Sequence, residues 1–270
     1  MTAVAASVAP RRRVRRDGSR AFVRPALAVA GLLLAQEVAT RTGVLPASYF
    51  PPVSEIATAL AAEVTGGRLL QALGATVLTW WGALALALGL GTAVGTLLGL
   101  LPPLEALLRP VIEFLRPVPS VALIPLVVLT IGTGSRSALF LAVFAAFWQV
   151  LVPVVAGIRS APPIALDTAR VFGLGTLQRI RWIQLPSMLP QLMTAARLAT
   201  STSLILVVTA EIIIQMPGLG SEITIARTAG NPARMYAYIA VSGMAGIALN
   251  AAVGAITRRV NAAHGQDGTR

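Results

Sequence analysis

Cysteine is absent from this 270-residue chain, which excludes disulfide bonds, cysteine-held iron–sulfur clusters and thiolate nucleophiles. Lysine is absent as well, so all 22 basic residues are arginine. A Walker-type phosphate-binding loop requires a lysine that reaches the β- and γ-phosphates of ATP. The chain cannot provide that lysine. We expect it not to be an enzyme, and any ATP hydrolysis linked to it is expected on a separate subunit.

Charged residues are also scarce. They make up 12% of the sequence, against about a quarter of an average soluble domain, while hydrophobic residues make up 56%. So few charges cannot cover a water-soluble surface. Uncharged runs at 72–104 and 137–158 are long enough to cross a bilayer, which takes about 20 apolar residues. The runs are continuous rather than alternating, so we predict an all-α, polytopic membrane helical bundle rather than a β-barrel.

Neither a metal site nor a nucleic-acid site is predicted. The only histidine, His264, lies in the polar tail 261–270 without a second histidine or cysteine nearby, which favours a solvated side chain over a metal ligand. We therefore expect no cofactor. The net charge of +12 is also typical of nucleic-acid-binding proteins, but six arginines between Arg11 and Arg20 precede the first apolar run. This placement is typical of the cytoplasmic flank of a membrane helix and indicates a lipid bilayer as partner.

About six transmembrane helices are predicted. A secretory signal peptide also has a basic leader, but no A-x-A cleavage site closes the stretch after Pro25, which favours a retained first helix. The chain then divides into a basic N-terminal segment 1–23, a transmembrane domain 24–257 and a tail 258–270. The predicted spans are 24–39, 72–101, 114–131, 137–158, 191–214 and 235–256.

The distribution of arginine predicts the orientation. With six spans and the N-terminus inside, seventeen of the 22 arginines fall on inner segments and five on outer segments. Short cytoplasmic loops carry an excess of positive charge in membrane proteins. The sequence therefore predicts a multi-pass protein of the cell (plasma or inner) membrane with both termini in the cytoplasm.

Several residues within the spans indicate packing. Gly91, Gly95 and Gly99 repeat every fourth residue, a spacing that lets membrane helices approach closely. Packing within one subunit is favoured over a contact between subunits. The third span carries prolines at 117, 119 and 125, which membrane helices tolerate where their neighbours satisfy the freed carbonyls. The tryptophans are interpreted as interface anchors or core residues, with a substrate cage as the alternative, and they are Trp80, Trp81, Trp148 and Trp182.

Outside the spans, two polar segments are predicted to contain short helices. Ser54 is a suitable N-cap for a surface helix over 54–60. The other segment, 159–190, begins a helix at Pro162-Pro163, where proline loses no needed donor. The helix runs over 164–172 and presents one face of small residues, Ala165, Thr168 and Ala169.

Gly173 then stands where a left-handed helix cap is expected. Thr176 is predicted to cap a second short helix, which ends at Leu185 because the residue before Pro186 disfavours helical geometry. Two short helices at a sharp angle make a rigid projection with a tip of small residues. The alternative is a loop that packs beneath its own bundle.

The 159–190 segment resembles the EAA loop of the permease subunits of binding-protein-dependent ABC importers. That loop reads E-A-A, three residues, G, nine residues, I, one residue, L-P, and the spacing agrees throughout. Two positions depart from it, since Asp167 replaces the usual glutamate and Thr168 an alanine. The matching residues are Asp167, Thr168, Ala169, Gly173, Ile183, Leu185 and Pro186.

Further runs resemble one subgroup of these permeases, which serves taurine, alkanesulfonates, nitrate, bicarbonate and pyrimidine-type precursors. The likeness covers nearly all of the chain after about residue 20, whereas the arginine-rich start has no counterpart. The matching runs are Pro51-Pro52-Val53-Ser54-Glu55, residues 115–126, 131–136 and 156–160, and Pro217-Gly218-Leu219-Gly220.

The resemblance implies a mechanism and partners. A solute-binding protein delivers a small solute at the outer face, and the subgroup points to a sulfonate, nitrate or a similar small anion. Two permease chains, expected to be a homodimer, form the path. Each inserts its EAA-like loop into a cytoplasmic ABC ATPase, whose closure drives the helices between inward- and outward-facing states. The chain itself catalyses no bond chemistry.

Two other classes of function are weighed against this one. A secondary transporter or channel that works without ATP is the alternative, and it ordinarily shows buried paired charges or a polar pore. The spans contain almost no charge apart from Glu37 and Glu211. A membrane enzyme is the third class, but clustered catalytic residues are lacking.

Glu211 lies inside the fifth span, and a carboxylate in a membrane helix suggests function. A hydrogen bond that packs helices together, to Gln149 or another polar neighbour, is an equally good interpretation. A carboxylate in the path would also repel an anionic substrate. We therefore predict a structural or gating role for Glu211.

Overall fold

The structure is a computed structural model that describes residues 18–263 and the side chains of residues 23–259. The predicted arginine-rich segment lies almost wholly outside the described residues, as does His264. Within the described residues every regular element is helical, which confirms the all-α prediction. The helices are α1 (Gly18–Arg41), α2 (Val53–Thr65), α3 (Arg68–Leu100), α4 (Pro102–Leu115), α5 (Ile124–Ile131), α6 (Ser135–Arg159), α7 (Pro163–Val171), α8 (Thr176–Arg179), α9 (Leu185–Ile214), α10 (Leu219–Thr228) and α11 (Pro232–Ala263).

Five helical stretches are long and apolar enough to cross a membrane, and a sixth is possible if a bent pair counts as one span. This number agrees with the prediction of about six. The five stretches, as far as the described side chains extend, are Val23–Arg41, Arg68–Leu100, Ser135–Arg159, Thr176–Ile214 and Pro232–Arg259.

The predicted third span, 114–131, is not one unbroken helix. The chain turns by 82° between Pro102–Leu115 and Ser120–Ile131. Pro119 takes an extended conformation (φ −64°, ψ 112°), and a 3₁₀ turn over Ser120–Leu123 leads into α5. Pro117 and Pro119 both lie at this break. Two prolines so close together remove two amide donors and disfavour helical geometry in the residues before them, which explains why the helix is interrupted here. Pro125 lies in the first turn of α5, where it loses no needed hydrogen bond.

The chain forms two compact units, Met1–Ile56 and Ala57–Arg270. In the first unit, Glu37 near the end of α1 links that helix to the start of α2. Its carboxylate accepts hydrogen bonds from Arg41 Nε (2.5 Å), Ser54 Oγ (2.9 Å) and the Ser54 N–H (3.1 Å). The surface helix predicted at 54–60 is present, but it begins at Val53. Ser54 is therefore not its N-cap, and Glu37 satisfies an amide at its start instead.

The core of the second unit is formed by α3, α6 and α9, with α11 packed on α9. Gly91, Gly95 and Gly99 of α3 face α6 of the same chain. A Cβ at these glycines would lie 2.7 Å from Val150 Cβ, 2.8 Å from Val154 Cγ1 and 2.7 Å from Ile158 Cβ. No real Cβ approaches so closely, so only glycine allows this helix spacing. The prediction that these glycines pack within one subunit is confirmed.

Candidate functional site

The 159–190 segment begins as predicted. Pro162 is extended and Pro163 occupies the first turn of α7. Asp167 forms an exposed ion pair with Arg170 (2.7 Å), and Thr168 Oγ1 donates a hydrogen bond to Ile164 O within the same helix (2.8 Å). Ala169 is buried while Thr168 is exposed. Ala165, Thr168 and Ala169 lie on α7 at the predicted spacing, but their exposure differs across that face.

Gly173 ends α7 in the left-handed conformation that the sequence predicts, with φ +74°. The Gly173 N–H donates to Arg170 O (3.0 Å), and the Leu174 N–H reaches back to Ala169 O (2.9 Å). These bonds satisfy the last carbonyls of the helix, as in a Schellman-type cap. A Cβ at Gly173 would meet no atom within 4 Å, so the position is restricted by its backbone and not by space.

Beyond the turn, α8 starts at Thr176 with Gly175 as its N-cap, so Thr176 is not the cap. The Gly175 N–H donates to Gln178 Oε1 instead (2.9 Å). The predicted end of this helix at Leu185 is also wrong. Leu185 is helical, and the chain continues through a π-helical turn, Ile180–Gln184, into α9. The Leu185 N–H donates to Ile180 O, five residues back, and this shift of register admits Pro186 into the first turn of α9.

The seven residues of the EAA-like pattern consequently separate into two groups. Asp167, Thr168 and Gly173 are exposed on α7 and its turn. Ile183, Leu185 and Pro186 are partly buried on the continuous run Thr176–Ile214, and Leu185 packs against the core. Ala169, as described above, is buried.

The tip of the segment carries large apolar side chains, not the predicted small ones. Val171 is 86% exposed and Phe172 is 78% exposed, immediately before Gly173. Ile164, Leu177 and Trp182 are exposed as well. The sequence did not predict this exposure, because these apolar residues are dispersed along the segment and form no continuous run.

Glu211 is fully buried, and its carboxylate bonds to two distant elements. Thr76 Oγ1 on α3 donates to Oε1 (2.8 Å), and the Gly220 N–H at the start of α10 donates to Oε2 (2.9 Å). Thr76 Oγ1 in turn accepts the Leu219 N–H (2.9 Å). The predicted partner Gln149 is wrong, since it is exposed, but the interpretation of a packing hydrogen bond holds. Glu211 and Thr76 together satisfy two free amides at the N-terminus of α10.

A second charged cluster joins α2, α10 and α11. Arg234 pairs with Glu63 (2.9 Å) and Glu222 (2.5 Å), and Tyr238 donates its hydroxyl to Glu63 (2.7 Å). The cluster was not predicted from the sequence, in which its only local signal is that Arg234 and Tyr238 are one helical turn apart.

Polar side chains also follow one face of α9. Thr194, Arg197 and Ser201 are exposed at spacings of three and four residues. Arg197 lies close to Arg258 of α11, because both side chains approach the same glycine, Gly254. If that glycine carried a Cβ, the Cβ would be 3.7 Å from Arg197 Nε and 3.6 Å from Arg258 Nη1. Neither arginine forms an ion pair with a described carboxylate.

The tryptophans do not share one environment. Trp80 is buried and donates its Nε1–H to Thr200 O (3.1 Å), which confirms it as a core residue. Trp81 and Trp182 are exposed, and Trp148 packs edge-on against Phe144 and Phe147. Among the described residues, no group of histidine, aspartate and glutamate could hold a metal ion.

The chain resembles solved transporter structures. Two inward-facing forms of the MetNI methionine ABC transporter are each 20% identical to it, with TM-scores of 0.62 and 0.63. They match 72% and 73% of this chain and 96% and 98% of theirs. An amino acid ABC transporter crystallised with histidines is 15% identical, with a TM-score of 0.62 over 74% of this chain and 97% of its own. At such identities the likeness shows the fold alone.

A comparison with curated protein sequences finds no significant match. A family model, in contrast, matches residues 85–263, which include α6, the 159–190 segment, α9 and α10. The match covers more than half of the chain and every element that packs around Glu211 except the first part of α3. This multi-pass helical protein belongs to the family of binding-protein-dependent transport system inner membrane components.

Proposed function

We propose that the chain is the permease subunit of an ATP-driven ABC importer for a small anion, such as a sulfonate or nitrate. In this proposal a solute-binding protein delivers the anion, two copies of the chain line the path, and an ABC ATPase engages the 159–190 segment. Residues 24–257 form the permease domain. Family membership and the ABC transporters among the similar structures support the proposal.

The observation that carries the proposal is the apolar surface around Gly173. Large exposed apolar side chains such as Val171, Phe172 and Leu177 are typical of a surface that binds another protein. Their segment also contains Asp167, Arg170, Arg179 and Arg181, which do not suit the hydrocarbon region of a bilayer. A cleft on a partner ATPase can cover the apolar side chains and leave the charges at its rim.

The continuity of the helix beyond this surface supports a coupling role. The run Thr176–Ile214 has 39 residues and extends from beside the apolar tip to Glu211. Movement imposed on α8 by the ATPase can therefore be transmitted to the membrane part of α9 through one helical run. Two states of the ATPase can then favour two positions of that run.

The polar face of α9 supports a second permease chain and an anionic substrate. Thr194, Arg197 and Ser201 are costly to expose to lipid, so they are expected to face a water-filled path or a partner chain. Arg197 and Arg258 bring two positive charges together without a described carboxylate. Such a pair favours an anion, because like charges close together are stabilised by an opposite charge.

Uptake assays test the substrate class. With the cognate binding protein and ATPase, and with taurine, nitrate, bicarbonate and a pyrimidine assayed side by side, we expect uptake of a sulfonate, nitrate or bicarbonate and not of the uncharged pyrimidine. Arg197→Gln is expected to lower that uptake about tenfold, the effect of losing about 1.4 kcal/mol of interaction with the anion. Arg136→Gln, at the start of α6, serves as the control and should have no effect. Transport of only a large peptide or sugar would refute the anion proposal.

Topology reporters test the proposed orientation. Because seventeen of the 22 arginines fall on predicted inner segments, we expect both termini in the cytoplasm and residues 46–71 outside. Fusions after Ala62 and after His264 should give opposite signals. Activity of a reporter that works only in the cytoplasm, fused after Ala62, would contradict the orientation.

A further inference from the structure

A cavity of about 430 Å³ lies between the end of α3 and the 159–190 segment. Leu97, Leu100 and Leu101 form one wall of it, and Leu166 and Ile180 complete the apolar lining. The remaining lining is polar, and it includes two arginines. A lining that combines apolar side chains with two guanidinium groups is suited to a ligand that has both a hydrocarbon chain and a negative charge.

The charges around the cavity are unbalanced. Arg170 is paired with Asp167, whereas Arg179 has no ion pair among the described residues. The two arginines and one aspartate leave one positive charge. Arg179 Nη2 donates to Thr176 Oγ1 (3.1 Å), but the buried Arg179 Nε has no hydrogen-bond partner in the described part of the chain. No described carboxylate neutralises Arg179, so its guanidinium group can donate to an anionic ligand.

The position of the cavity indicates where such a ligand comes from. The α3 helix has 33 residues and is therefore about 50 Å long, longer than a bilayer of about 40 to 45 Å including its headgroups. Leu97, Leu100 and Leu101 lie at one end of this candidate membrane span, and the end of so long a helix is expected at the level of the headgroups or beyond. Basic pockets beside the cytoplasmic ends of membrane helices bind anionic headgroups.

We propose that this cavity binds one anionic phospholipid of the adjacent leaflet. The phosphate accepts hydrogen bonds from Arg179 and Arg170, and the first part of an acyl chain lies along the three leucines. The single negative charge of a phosphodiester balances the single excess positive charge. The cavity is next to the apolar tip around Gly173, and Arg170 and Arg179 also belong to the segment that an ATPase is proposed to engage. The lipid site is therefore proposed for the chain without its ATPase, and its test does not depend on one.

Native mass spectrometry of the whole chain, purified in detergent and stripped of lipid, tests the site. Phosphatidylglycerol added back should give a species with one bound lipid. Arg179→Gln should reduce that species about tenfold, the consequence of losing a charge-assisted hydrogen bond to phosphate. The matched control is Arg136→Gln, because Arg136 is exposed at the opposite end of α6 and should leave binding unchanged.

Further arms distinguish the source of the phosphate. Leu100→Gln should weaken phosphatidylglycerol binding, and glycerol 3-phosphate, which lacks acyl chains, should bind much more weakly than the lipid. Size-exclusion profiles establish whether each variant is folded. If Arg179→Gln does not fold, Arg179→Lys replaces it in the test and should bind part of the lipid that the unmutated chain binds. Equal lipid retention by the unmutated chain and folded Arg179→Gln would overturn the proposal and assign the cavity to a protein partner. Equal binding of glycerol 3-phosphate would overturn the assignment to a lipid.

Discussion

Gly173→Glu is expected to abolish transport while leaving membrane insertion and the fold intact. Gly173 has φ +74°, where any Cβ costs roughly 1 to 2 kcal/mol. There is space for the side chain, so the strain alone should be tolerated. The larger effect comes from the charge, because a carboxylate next to Val171 and Phe172 must be desolvated when a partner covers that surface. The measurements are ATPase co-purification, uptake and the amount of protein in the membrane.

Two further variants serve as comparisons for Gly173→Glu, and the first separates the backbone strain at Gly173 from the effect of the added charge. Gly173→Asn should retain most transport, since asparagine tolerates the left-handed conformation and carries no charge. Asp167→Ala should have a small effect, because an exposed ion pair such as Asp167–Arg170 contributes only about 0 to 1 kcal/mol. If Gly173→Glu binds the ATPase and transports at the unmutated rate, the 159–190 segment is not the coupling element and the proposed mechanism fails.

Replacement of Glu211 by leucine is expected to destabilise the helical bundle, by about 2 to 4 kcal/mol. The Gly220 N–H and the Thr76 hydroxyl would both lose their acceptor, and each unsatisfied buried group costs about 1 to 3 kcal/mol. The midpoint of thermal unfolding in detergent, followed by tryptophan fluorescence, should fall. Glu211→Gln is the matched control and should fall less, since its amide oxygen can still accept the Gly220 N–H.

Gly218 provides an independent test of the same contact. A Cβ at Gly218 would overlap the carboxylate of Glu211, so Gly218→Ala should also lower the unfolding midpoint. In a Glu211→Ala background that overlap is gone, and the same substitution should cost much less. Simple additivity of the two substitutions would show that the carboxylate is not where the structure places it.

Local patterns allowed much of the fold to be predicted. The apolar runs became helices because lipid offers no hydrogen bonds, so each span must satisfy its own backbone. The left-handed cap at Gly173 was predictable because its closing bonds lie within the six residues from Ala169 to Leu174. The spacing of Gly91, Gly95 and Gly99 likewise indicated a close helix contact, although not which helix would be its partner.

The effect of each proline could not be predicted in the same way. Pro153 and Pro190 lie inside helices that continue through them, whereas the chain bends at Pro117 and Pro119. Pro186 is accommodated by a π-helical turn that no residue type announced. A proline removes one donor and crowds one turn, but the packing of neighbouring helices determines whether the helix bends, shifts register or ends.

The sequence by itself determined the helical membrane fold and the EAA-like pattern of the 159–190 segment. It also excluded any chemistry that needs cysteine or lysine, since the chain contains neither. Only the tertiary structure decided which distant groups meet. Glu211 bonds to Thr76, 135 residues away, and Arg234 pairs with Glu63 on another helix. The physical reason is that helix periodicity fixes which face a side chain occupies, while the partner of that face depends on how the helices pack in three dimensions.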